Sequence, residues 1–259
     1  MAASGMNRFV LNWMDMTSAD ASEPQMRSRR RSPWRLLRTI ALVVLMLVLL
    51  PYALVPLYRA VNPTSMPMLW RTLTGAPVER TWVPLDQMAP VLVRTVLASE
   101  DARFCHHFGI DWRELQAAIE DAEELADMRG GSTITQQTAK NLFLWGGRSY
   151  IRKGLEAPLA LWMDLVLPKA RILEIYLNVA EWGPRGQFGV DAGAQYAFNK
   201  PANRLSAGEA ALLVAILPNP IRRSAGQPRA GVRRIAARAQ ARAARYGPID
   251  ACLRPAQSH

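Results

Sequence analysis

The apolar positions of this 259-residue chain change their spacing along its length, and each spacing predicts a different element. From Ile40 to Tyr58 the sequence IALVVLMLVLLPYALVPLY contains no charged residue. It is close to the roughly 20 apolar residues that cross a bilayer, with Pro51 and Pro56 near one end, where a kink is tolerated. A cleaved leader would have a shorter apolar core, about 7–15 residues, and a small-residue cleavage site. The following PLYRAVNP is a poor one, so a retained anchor is expected. Past the anchor, residues 59–85 read as a connector punctuated by Pro63, Pro67, Pro77 and Pro84.

From there the spacing turns to 3.6-residue stripes. It predicts helices over 90–104, over 112–127 behind an Asp111/Glu114 capping box, and from an N-cap at Ser132 to about Leu144. Further helices follow over 149–167, with a stripe through Leu155, Leu159, Met163 and Leu167, and from Pro168 through KARILEIYLNVAEW. SAGEAALLVAIL and the Arg-rich AGVRRIAARAQARAARYG supply the last two. No run alternates as strands do. The domain reads as mainly α, over 86–248, with a tail at 249–259.

Charge sharpens the anchor. The net +11 is concentrated at the ends, with +4 over residues 1–39, +8 over 221–259 and −1 between. Arg27, Arg29, Arg30, Arg31, Arg35 and Arg38 precede the apolar run. By the positive-inside rule, residues 1–39 are cytoplasmic and the helical domain is outside. The Arg-rich C-terminal helix then suits anionic lipid head groups and not nucleic acid. Cys105 and Cys252 lie far apart and have no CxxC or metal-type spacing; they could pair in an oxidising compartment, but no bridge is assigned. His106 and His107 lack the i, i+4 spacing of a metal pair, so no metal ligand is assigned.

Four clusters carry chemistry. EDARFCHHFG places Glu100 and Asp101 at the end of an apolar helix. A partly desolvated carboxylate there would have a raised pKa suited to proton transfer; a solvated helix end paired to Arg103 would look the same. GGSTITQQTAKN sets two glycines before a helix start, a geometry that receives anions, with Ser132, Gln136, Gln137, Lys140 and Asn141 along it. RSYIRKGLE puts Arg152 and Lys153 four and three residues before Glu156, on one helical face. KARILEIYLNVAEWG, with Glu174 and Asn178, reads chiefly as scaffold.

In this order the clusters resemble the peptidoglycan glycosyltransferases. ED-x-x-F-x-x-H-x-G is met by Glu100, Asp101, Phe104, His107 and Gly109; G-x-STITQQ-x-x-KN by Gly130 to Asn141; RK-x-x-E by Arg152, Lys153 and Glu156; ILE-x-YLN by Ile172 to Asn178. The resemblance covers about residues 80–220. It implies a lysozyme-like helical lobe with a small membrane-associated jaw, here mapped to 141–147 and about 112–128. It implies that lipid II is polymerised into a glycan strand, with Glu100 as base and Glu156 as the second carboxylate. The leaving pyrophosphate would meet Lys140, Arg148 and Lys153 and the Ser132 helix start, with Gln136, Gln137, Asn141 and Arg152 as further substrate-binding residues. A divalent metal (Mg or Mn) at the pyrophosphate is the one cofactor in view. Lipid II, the growing strand, membrane lipid and cell-wall synthesis or division proteins are the partners. The S-x-x-K and K-T-G of a transpeptidase are absent, so the likeness is to the monofunctional, inner-membrane members of Gram-negative bacteria. A membrane-anchored lysozyme-like hydrolase or lytic transglycosylase is the alternative, though it has no need of the cations.

Overall fold

A computed structural model of the protein describes residues 33–121, 130–147, 149–245 and 250–253. The chain divides into two units at Leu45/Met46. Helix α1 (Pro33–Leu54) continues as a 3-10 turn over Val55–Arg59. Trp34–Arg59 is long and apolar enough to span a membrane. It exceeds the expected 40–58 because Trp34, Leu36 and Leu37 already belong to the helix.

The unit from Met46 onward is helical. Helices α3 (Pro90–Glu100), α4 (Trp112–Glu120), α5 (Ile134–Phe143), α6 (Tyr150–Val166), α7 (Lys169–Val179), α8 (Val190–Phe198), α9 (Ala207–Ile216) and α10 (Ala230–Arg245) follow in order. α3 packs against α9 and α10, and α5 packs against α6 and α7. One core joins them through Leu92, Val96, Ile134, Ile172, Leu173 and Leu213, all fully buried. α9 is apolar nearly all round because it is covered on several sides. A capping box between Ser206 and Glu209 starts it.

Residues 59–85 are more than a connector. Ser65 caps α2 (Met66–Leu73), and Pro67 sits in its first turn, where no N–H is needed. β1 (Glu79–Arg80) then pairs in parallel with β2 (Gln187–Phe188), in register Glu79 to Gln187. Two-residue strands are too short to leave an alternating pattern. Gly186 permits the approach: a Cβ there would lie 2.1 Å from the Pro77 carbonyl oxygen. The ILE-x-YLN helix is indeed a fastening. Asn178 accepts from Val83 N–H (2.9 Å) and donates to Val83 C=O (2.8 Å), while Glu174 accepts from Leu85 N–H (3.0 Å).

Three local expectations change. α3 stops at Glu100, four residues early, because Asp101 leaves the helix to make contacts of its own. The α5 cap is Thr133, not Ser132. Cys105 and Cys252 are disulfide-bonded, with Cα atoms 5.5 Å apart, because the fold brings the Phe104–His106 turn to the Ala251–Leu253 turn. Sequence distance says nothing about that approach. α4 is described only to Asp121, so residues 122–128 of the expected helix and jaw, and 254–259 of the expected tail, lie outside the described residues.

Candidate active site

Glu100 ends α3 at a partly exposed position. Its Oε2 accepts from Gln137 Nε2 (3.1 Å), and Gln137 Oε1 accepts from Tyr176 OH (3.2 Å). The chain of bonds fixes which way the Gln137 amide faces. Burial holds the Tyr176 hydroxyl well above its usual range, helped by the charges of Glu100 and Asp101, so it remains a donor. Burial also raises Glu100, against the Gln137 hydrogen bond and the charges of Arg242 and Lys140, while Asp101 adds to the rise. A carboxylate with raised proton affinity, held by an amide and open to solvent on one side, fits a general base.

Asp101 faces the other way. Its Oδ1 and Oδ2 lie 2.9 and 3.0 Å from His107 Nε2, and Oδ2 accepts from Ile134 N–H at 2.9 Å. That carboxylate joins the first motif to the start of α5. Thr133 strengthens the joint, donating from Oγ1 to Gly109 C=O at 2.6 Å. Thr133 and Gln136 cap each other, so Gln136 points inward and is buried. Gly109 has φ +65°, and a Cβ would meet the Ala160 carbonyl oxygen at 2.8 Å. Arg103 pairs with Asp111 (3.3 Å) and not with the helix-end acids.

The cations gather around Glu156, which is buried and paired with both Arg152 and Lys153, the latter at 3.1 Å. Lys153 also donates to Ser132 Oγ (2.8 Å), which ties the second motif to the third. Burial, with Arg152 and Lys140 nearby, lowers Lys153 to about 8. Lys140 is lowered by burial and by Arg152 and supported by Glu100. It therefore lies within electrostatic reach of both Glu100 and the cation cluster. Arg152 donates from Nε to Gly147 C=O (3.1 Å), and burial lowers it too. Asn141 follows Lys140 on α5, partly exposed. Arg148 lies outside the described residues. Three cations with one buried carboxylate leave a net positive cluster, suited to an anion. The same donor set does not suit a divalent metal, since Glu156 is taken up by Arg152 and Lys153. Among the described residues no group of three metal-ligating side chains gathers elsewhere.

Some residues around the candidate site were not read from the sequence. Tyr176 sits within a motif taken as scaffold. Arg242, on α10, acts on Glu100 from outside every motif. Asp164 accepts from Gly109 N–H (2.5 Å) and Lys169 Nζ (2.7 Å), and Lys169 also donates to His107 C=O (2.8 Å). A lone acid in LALWMDLVLP was a legible signal for that lock, since an acid on so apolar a helix needs a partner.

Comparison with known proteins gives consistent matches. The transglycosylase family profile matches residues 68–245. A biosynthetic peptidoglycan transglycosylase of Nitrobacter winogradskyi is 60% identical over 209 residues, covering 81% of this chain and 92% of its own length. A protein of the same description from Rhodopseudomonas palustris strain TIE-1 is 60% identical over 220 residues, 85% of this chain and 93% of its own. One from Rhizobium johnstonii is 46% identical over 246 residues, 93% of this chain and 99% of its own.

Proposed function

Since the chain belongs to the transglycosylase family, we propose that it is a peptidoglycan glycosyltransferase that polymerises lipid II into β-1,4 glycan strands and releases undecaprenyl diphosphate. The observation that carries this reading is the pairing of Glu100, a carboxylate of raised proton affinity, with the Lys140–Arg152–Lys153 cation group.

The step needs one base and one anion site. The acceptor sugar's 4-hydroxyl attacks the anomeric carbon of the donor, and its proton passes to Glu100. The bond from that carbon to the diphosphate oxygen breaks, and the electron pair leaves with the diphosphate. Inversion at an α-linked donor gives a β-linked product. Lys140, Lys153 and Arg152 meet the negative charge growing on the leaving group, and Glu156 holds two of them in place. Gln137 and Tyr176 orient the base. A glycosidase instead needs an acid and a base flanking the bond, and Glu156, bonded to two cations, is poorly placed for either role.

The anchor and the arginines from Arg27 to Arg38, which precede its uncharged stretch, support an outward-facing domain. The disulfide, stable in an oxidising compartment, agrees with that side and with a periplasmic location. The test is to incubate the purified full chain with labelled lipid II. Polymer and free undecaprenyl diphosphate are expected, with Glu100→Gln slower by roughly 10²–10⁴. Polymer formed at the parent rate by Glu100→Gln would remove Glu100 from the reaction. Cleavage of finished peptidoglycan without lipid II polymerisation would favour a hydrolase.

A further inference from the structure

Helix α2 carries an apolar face that the site does not use. Met66, Leu69, Trp70 and Leu73 stand at i, i+3, i+4 and i+7, which is one side of a helix. All four are exposed, Trp70 by 69% and Leu73 by 73%. The opposite side is occupied: Met68 is buried, and Arg71, the helix's one charged residue, turns back to Pro77 C=O (2.9 Å) and Glu181 (3.4 Å). The outward face therefore holds no charge.

Its position is fixed close to the end of the apolar span. Arg59 donates to Val166 C=O (2.8 Å). Arg171 donates to Tyr58 C=O (2.7 Å), Val61 C=O (2.9 Å) and Asn62 Oδ1 (2.9 Å). Arg80 holds Pro63 C=O at 2.6 Å. The segment between the span and α2 is thus bonded along its length to the folded domain. Leu57 and Val61, both exposed, add apolar side chains between the two.

We propose that α2 lies in the bilayer interface, with Met66, Leu69, Trp70 and Leu73 at the headgroup–acyl boundary. This is a second lipid contact, separate from the segments at 112–128 and 141–147, and it rests on the span being inserted. A short uncharged face with a Trp, beginning seven residues past a span, fits interfacial lipid. A second copy of the chain fits less well. One eight-residue helix is about 12 Å long, too small a face for the roughly 1,000 Å² that a stable protein interface buries.

The experiment uses the full chain, one copy per nanodisc of phosphatidylethanolamine and phosphatidylglycerol. With Cys105 and Cys252 bonded to each other, Leu69→Cys or Leu73→Cys adds one free thiol for an environment-sensitive dye. Leu47→Cys in the span and Gln195→Cys on α8 serve as references. The dye at 69 and 73 is expected to shift to the blue and to lose at least half its emission to lipids spin-labelled near the headgroup. At 47 quenching should come from labels deep in the acyl chain, and at 195 from neither. Water-like emission at 69 and 73 with position 47 quenched would overturn the proposal and leave the span intact. Water-like emission at all three would overturn the span and the proposal together. A blue shift at 69 and 73 that needs two copies per disc would make the face a contact between chains, and would equally overturn it.

Discussion

Asp101→Asn separates the two neighbouring acids by what each touches. Asp101 accepts from Ile134 N–H and from His107 Nε2, at 2.9 Å each. His107 Nδ1 is buried without a partner, so the ring proton belongs on Nε2, facing the carboxylate. An asparagine amide offers one oxygen. Turned to keep the Ile134 bond, its oxygen stays 3.0 Å from His107 Nε2, but its NH2 takes the 2.9 Å place and crowds the same donor. Turned the other way, it sets NH2 against the Ile134 N–H. Either orientation leaves a buried donor facing a donor, at a cost of about 1–3 kcal/mol. For a domain of this size that lowers the thermal midpoint by roughly 2–12 °C. The assay is the unfolding midpoint in detergent, together with the initial rate of lipid II polymerisation well below the variant's midpoint. The expected result is a clear fall in midpoint with a rate within about tenfold of the parent, since the proposed roles give the proton to Glu100 and leave Asp101 to position α5. Glu100→Gln should do the reverse, keeping the midpoint and losing the rate. An Asp101→Asn protein with the parent midpoint and a rate loss equal to that of Glu100→Gln would refute this division of roles.

Other expectations follow from the same geometry. The pH–rate profile should be bell-shaped: the rate rises as Glu100 loses its proton, above the ordinary carboxylate range, and falls as Lys153 loses its charge near pH 8. Lys153→Arg, which stays charged, should move the alkaline limb upward in the same assay. Gly109→Ala combines positive φ with a 2.8 Å backbone contact, and calorimetry should show a loss of at least about 2 kcal/mol. Reduction of the disulfide releases a constraint across 147 residues, worth about 4–5 kcal/mol in the chain-entropy account, and should lower the midpoint measurably under a dithiol reductant. A reporter fused after His259 should be active only outside the cytoplasm, and activity inside would reverse the orientation.

The helices were legible because their apolar stripes are long and their caps are local; α6 and α7 begin within a residue of where the sequence places them. What escaped was non-local. Glu100, Lys140 and Lys153 could be picked out as polar groups in odd places, but Asp101's bond to Ile134 spans 33 residues, and nothing local announces it. Thr133 displaced Ser132 as the cap because both can do the job; Ser132 instead receives Lys153, a partner 21 residues away. The two-residue strands, the α2 helix within a proline-rich stretch and the Cys105–Cys252 bond depend equally on distant approach. Tyr176 was hidden for a different reason: on an apolar helix it looks like core, and only its hydroxyl's contact with Gln137 gives it a second role.

The bond between Cys105 and Cys252 closes a covalent ring over residues 105–252, which begins within the first motif. Glu100 and the membrane span hang from that ring as a single strand, while Lys140, Arg152, Lys153 and Glu156 are links within it. One peptide cleavage inside the ring therefore leaves a single molecule, which runs as one band until reductant is added. One cleavage between the span and Cys105 severs the ring, cations included, from its covalent link to the span. Damage on the two sides of Cys105 thus has unequal outcomes: a nick within the ring keeps Glu100 and the cations on one covalently anchored molecule, and a cut before it leaves the cations joined to the span by packing alone.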